Sequence, residues 1–251
     1  MPSNSVVDSA MGFEGMTTRP ALALLGAFLR FSQELNTEKH GLIEFGTYKG
    51  RVSALMGLMQ RADDRLDLVD VKDYLDRPRL DSLGIQYNFH LSTSEKWDSS
   101  QIEREEVYFS HHDASHYFHN VSHELSEMRG LLSPFGVIAL DDFTDTFSQV
   151  RAAYYHQRYA LGSPFELLLQ GWGKAILVRT AAFEKYEKFV LEELQQVLRG
   201  LGMETMLART DAVSEARAFS IVLKKGPGEP DLYGLRVWGD RFYRPSLLGK
   251  V

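Results

Sequence analysis

The sequence predicts an α/β fold: a seven-stranded, mostly parallel sheet with helices on both faces and an antiparallel edge hairpin. Two patterns point to it. As far as Asp142, short apolar runs that end in glycine or aspartate alternate with stretches of helical periodicity, the alternation of a parallel sheet. Beyond Asp142 the alternation gives way to two strand-like runs around Gly171-Trp172-Gly173, which suits an antiparallel pair. Composition agrees: 251 residues, 44% hydrophobic and 25% charged, can bury one sizeable core.

In chain order, Met1 to Gly15 lacks the basic start and apolar run of a secretory signal and reads as a loose leader. Thr18-Arg19-Pro20 starts a helix whose apolar residues Leu22, Leu25, Phe28, Leu29 and Leu35 recur at helical spacing, to cover the sheet or an oligomer contact. Its apolar stretch Ala21 to Leu29 is too short to cross a bilayer. Gly41 to Gly46 reads as strand and turn, and Val52 to Met59 as helix. Strands follow at Leu66 to Val71, more weakly at Ile85 to Leu91, and at Val107 to Ser110. A helix from Tyr117 to Leu132 leads through Pro134 and Gly136 to a fifth strand, Gly136 to Leu140. The rest reads as a helix over Thr146 to Tyr159, strands at Phe165 to Gln170 and Lys174 to Arg179, a long helix from Phe183 to Arg199, and a final strand at Phe219 to Leu223. The chain is one domain: leader and helix over 1–38, core over 39–225, and a tail over 226–251 carrying Trp238, Phe242 and Tyr243, aromatic enough to dock on the domain or a partner subunit.

A net charge of −6 gives no general attraction to nucleic acid or anionic lipid. The absence of cysteine excludes disulfides, thiolate metal sites and cysteine nucleophiles, and points to the cytoplasm. The expected partner is a small molecule, with no nucleic acid and no membrane, on a chain that forms a homo-oligomer.

The strongest motif is Glu44-Phe45-Gly46-Thr47-Tyr48-Lys49-Gly50, between a strand and a helix. Glycines there permit a sharp turn and bring a ligand close to free helix N–H groups. Asp70 ends the next strand, 24 residues after Gly46, where a carboxylate could accept from the two ribose hydroxyls of a nucleoside-containing cofactor. Glu44-x-Gly46-x-x-x-Gly50 resembles the first motif of class I S-adenosylmethionine-dependent methyltransferases, whose fold is Rossmann-like; the dehydrogenase Gly-x-Gly-x-x-Gly is absent.

A second constellation, His111-His112-Asp113-Ala114-Ser115-His116-Tyr117, precedes Leu132-Ser133-Pro134-Phe135-Gly136 and Leu140-Asp141-Asp142-Phe143. It is similar to the small-molecule, sugar and macrolide O-methyltransferase subgroup, which carries Asp-Gly-x-His-x-Tyr and then a Pro-Gly-Gly turn followed by Asp-Asp-Tyr. The resemblance implies S-adenosylmethionine held by Glu44, Gly46, Thr47, Tyr48, Gly50, Asp70, Ser94 and Asp113. It also implies Mg²⁺ on Asp113, Asp141 and Asp142, catalysis by His116, Asp113 and Asp142, and a small-molecule acceptor bearing a hydroxyl. Such an ion would lower the pKa of a bound alcohol. Ala114 replaces the usual glycine, Tyr117 comes one position early, and Ser115 stands where some relatives carry another aspartate, so metal and base both stay open. One alternative is a metal-independent enzyme with His116 as general base. Others are a non-catalytic binding or scaffold relative of the fold and, most distantly, a dehydrogenase. His116, His119 and His123, with His112, could be drawn as a metal cluster, but a partly solvated helix face is the plainer reading.

Overall fold

The computed structural model of the chain describes residues 2–209 and 218–224, with two further short strands at Asp231–Leu232 and Leu235–Arg236. The tail's aromatic residues Trp238, Phe242 and Tyr243 lie outside the described residues.

The chain opens with helix α1 (Asn4–Met11), capped by Ser3, which accepts from the Val6 N–H. The expectation of a loose leader is therefore corrected. Val7, Ala10 and Phe13 are buried against the core, and Arg51 donates to the carbonyls of Phe13 and Thr17, so the segment is tied down by packing and hydrogen bonds. Helix α2 (Arg19–Leu35) begins where expected, with Thr18 accepting from the Ala21 N–H and Pro20 in the first turn. Every residue from Ala21 to Leu29 is buried within this chain, so this stretch of α2 packs into the chain's own core.

The parallel part of the sheet consists of β1 (Gly41–Phe45), β2 (Arg65–Asp70), β3 (Asn88–Leu91), β4 (Val107–His112) and β5 (Leu132–Leu140). Helices α3 (Arg51–Met59), α4 (Arg77–Ser82) and α5 (Phe118–Leu131) lie among the crossovers. Then come α6 (Ser148–Tyr155), a π turn (His156–Ala160) and the strands β6 (Phe165–Gly171) and β7 (Lys174–Arg179). Helix α7 (Phe183–Phe189), a π segment (Val190–Leu194) and α8 (Gln195–Gly200) run on together to β8 (Thr205–Arg209) and β9 (Phe219–Leu223).

Among the described residues the sheet has nine strands, not seven, in the order β3-β2-β1-β4-β5-β7-β6-β9-β8. The β6–β7 hairpin is not at the edge either, because β9 pairs in parallel with β6 and β8 closes the sheet antiparallel to β9. Thr205-Met206-Leu207-Ala208-Arg209 is rich in good helix formers, and pairing with β9 makes it a strand. Gly171 permits the neighbouring β6–β9 pairing, since a Cβ there would sit 2.7 Å from the carbonyl oxygen of Ile221.

Side chains alternate between two cores. Leu42, Leu66 and Leu68 face the layer of α1, α2, α3 and α7, while Ile43, Phe45 and Val69 face α5 and α6. Strand order reverses between β1 and its neighbour β4, so their carboxyl ends flank the crevice where open parallel sheets bind ligands.

Candidate active site

A cavity of about 840 Å³ opens at that crevice, within the usual range for a small-molecule site. Each parallel strand beside it delivers one part. After β1 the chain turns through Gly46 (φ 80°), Tyr48 (φ 45°) and Gly50 (φ 91°) into α3. A Cβ on Gly46 would lie 2.1 Å from the carbonyl oxygen of Asp113, so this glycine is required by the close passage of the β1 and β4 ends. Gly50 caps α3 and packs toward Leu75 and Leu80; it shapes the turn without lining the cavity.

Asp70 ends β2, and its Oδ2 accepts from the N–H groups of Thr47 (2.8 Å) and Tyr48 (3.1 Å) and from the Thr47 hydroxyl (3.1 Å). Its Oδ1 accepts from the Lys72 N–H at 3.1 Å. This carboxylate thus ties the glycine turn to β2 as well as facing the cavity. Ser94 lines the same end beside Thr93, whose buried hydroxyl has no hydrogen-bond partner among the described residues. A polar ligand edge is what such an orphaned group accommodates. The N-terminal segment through Glu14, Met16 and Thr17 forms another wall, and Glu14 accepts from the Tyr48 hydroxyl at 2.8 Å.

Glu44 lines the floor of the cavity and is otherwise buried, where Ser53 donates to it at 2.5 Å and His111 Nδ1 lies 3.1 Å away. Burial raises its pKa well above the carboxylate range and lowers that of His111, which Lys174 depresses further. Strand β4 runs two residues beyond its expected end, so His111 and His112 are strand residues. His112 is buried between Glu124 (2.9 Å) and Ser110 (3.1 Å) and belongs to the core. His119 is exposed beside Glu95, and among the described residues neither it nor His123 joins a group of possible metal ligands, whereas His116 does.

His116 lines the cavity just before α5, with its Nε2 3.1 Å from Asp142 Oδ2 and 3.5 Å from Asp113 Oδ1. Asp142 is nearer, but the Asp113 contact has the hydrogen-bond geometry. That bond and the charge of Asp142 outweigh burial and raise the imidazole pKa. Nδ1 has no hydrogen bond among the described residues. Phe147 stands edge-on to the ring, at 4.7 Å between centroids.

Asp113 and Asp141 form a tightly coupled pair. Burial pushes Asp113 up to about 7, helped by the neighbouring Asp141. Burial would raise Asp141 too, but the Lys174 ammonium and a hydrogen bond with Asp113 hold it down at about 2. Burial and Asp141 raise Asp142. Lys174, which the motifs did not reveal, is fully buried; its Nζ is ion-paired with Asp141 and lies 3.2 Å from His111 Nε2. A single lysine opening a strand after a tight turn carries no sequence signal for this.

Residues 43–143 match the family model of a methyltransferase domain. The match covers less than half of the chain. The resemblance to the class I S-adenosylmethionine-dependent methyltransferases holds on that match. A Corynebacterium glutamicum protein overlays the chain with a TM-score of 0.54 at 15% identity, covering 71% of this chain and 91% of that one. The O-methyltransferase NovP overlays it with a TM-score of 0.55 at 14% identity, covering 66% and 83%. At such identities these neighbours establish the fold. No curated protein matches the chain by sequence. Among the described residues, no helix is long and apolar enough to cross a membrane.

Proposed function

We propose that this chain is a methyltransferase that uses S-adenosylmethionine to methylate a hydroxyl oxygen of a small molecule, with His116 as the general base. The observation that carries the reading is one cavity with two chemically different ends. At one end stand the glycine turn, Asp70, Ser94 and the unpartnered Thr93 hydroxyl, suited to a nucleoside; at the other stands a histidine braced by carboxylates. The fold shared with the O-methyltransferase NovP supports oxygen as the accepting atom.

When bound, S-adenosylmethionine supplies an electrophilic methyl group carried on a sulfonium. The residues here do the rest. Asp70 accepts from ribose hydroxyls with the capacity left after its loop contacts, and Gly46 lets the ligand pass close to the backbone. His116 has Nε2 turned to Asp113 and Asp142, which leaves the Nδ1 lone pair to take the acceptor's hydroxyl proton. The imidazolium that forms is stabilised by Asp142, while the freed oxygen pair is directed at the methyl carbon. Phe147 and Trp172 line the acceptor side and help to exclude water.

Calorimetric titration with S-adenosylhomocysteine, followed by methyl transfer to a panel of hydroxylated small molecules, tests this. Binding near the micromolar range, about −8 kcal/mol, is expected. His116→Gln should keep that binding and lose transfer by roughly 10²–10⁴-fold. Failure to bind would favour the non-catalytic relative, and full activity of the variant would remove His116 as base.

A further inference from the structure

The divalent ion implied by the motif resemblance meets an obstacle. Its expected holders are Asp113, Asp141 and Asp142, yet among the described residues no cluster of ligand atoms brings all three together. Two smaller groups overlap at Asp113: His111, Asp113 and Asp141 in one, and Asp113, His116 and Asp142 in the other. In each, a basic side chain of the protein already stands against the carboxylates. Lys174 is ion-paired with Asp141, and His116 bridges Asp113 and Asp142.

Lys174 cannot readily swing aside. Its side chain is 1% exposed and its Nζ also faces His111 Nε2 and, at 3.5 Å, the Thr17 hydroxyl. The hairpin turn before it has positive φ at both Trp172 (51°) and Gly173 (81°), the geometry of a tight two-residue turn. The Gly173 carbonyl accepts from the Phe143 N–H at 2.8 Å, locking that turn onto the segment that follows Asp141 and Asp142. A second cation next to a fixed, buried ammonium is repelled with little screening.

We propose that Lys174 is the resident cation of this site, standing in place of a divalent metal ion, and that the methyl transfer proposed above proceeds without metal. Only the second clause rests on the proposed reaction. Lys174 is then a positioning residue with a traceable route to the base. Its ammonium fixes Asp141 Oδ2, Asp141 Oδ1 accepts from the Asp142 N–H at 2.7 Å, and Asp142 Oδ2 meets His116. The positive φ of Asp142, 51°, is the conformation this route maintains.

Mn²⁺ is the probe, read by the loss of its free six-line paramagnetic resonance signal on addition of the full-length protein, with and without S-adenosylhomocysteine. Wild type should leave the signal intact. Lys174→Met, which leaves Asp141 uncompensated, should bind Mn²⁺ at least about tenfold more tightly than wild type. Adding Asp141→Asn to it should abolish the gain, and Lys174→Arg, which keeps the charge, should behave as wild type. Micromolar Mn²⁺ binding by wild type overturns the proposal without any variant having to fold, and so does a folded Lys174→Met protein with unchanged Mn²⁺ affinity. Failure of S-adenosylhomocysteine to bind the same wild-type sample would refute the proposed function and leave the Mn²⁺ result standing.

Discussion

Asp70 has two duties in this structure. Its carboxylate holds the Thr47 and Tyr48 amides, and the cavity it faces is the proposed ribose end. Asp70→Ala should therefore weaken S-adenosylhomocysteine binding by at least about tenfold, since hydrogen bonds to a charged acceptor contribute about 1.5–3 kcal/mol. It should also speed amide exchange at Thr47 and Tyr48; unchanged affinity and exchange together would show the carboxylate to be idle. His116 gives a pH prediction. Its pKa is raised by Asp113 and Asp142, and only the neutral ring is a base, so turnover should climb with pH through a midpoint above 6.5. Asp142→Asn removes one of the charges and should move that midpoint down; a profile that stays put would exclude His116 as the titrating group.

At the scale of elements, the site depends on how closely β1 and β4 end beside each other. Gly46→Ala forces a Cβ into the Asp113 carbonyl at a positive φ, and should destabilise the fold by about 3 kcal/mol, roughly 6–12 °C in Tm for a chain of this size. A thermal melt at wild-type temperature would mean that the two strand ends can separate. The π segment within the last long helix and the π turn after α6 are local insertions that helical periodicity does not register. Strand β8 and the burial of α2 from Ala21 to Leu29 are likewise products of pairing and packing with distant parts of the chain.

Across the whole molecule, acid–base balance and stability are linked through the Asp113–Asp141 pair. Asp113 has a folded pKa raised to about 7, so the stability it contributes is present below its unfolded value and is lost as pH rises through about 7. Asp141 has the opposite sign: held at about 2, it contributes above its unfolded value and loses that contribution as pH falls toward 2. Asp113→Asn should therefore gain stability relative to wild type at pH 8 and show no such gain at pH 4 in denaturant titrations; equal effects at both would mean that Asp113 is ionised throughout. Sequence by itself determined the alternation of strands and helices, the glycine turn, and the placement of Asp70 at a strand end and of Asp113, His116, Asp141 and Asp142 in the segments that follow the strands, because period and turn chemistry are local properties. Tertiary structure alone decided that nine strands pair, that the N-terminal segment walls the cavity, and that Lys174, from a hairpin 33 residues beyond Asp141, ends against that carboxylate. Charge compensation in a buried site is set by which distant side chains the sheet order brings together, and no local spacing records it.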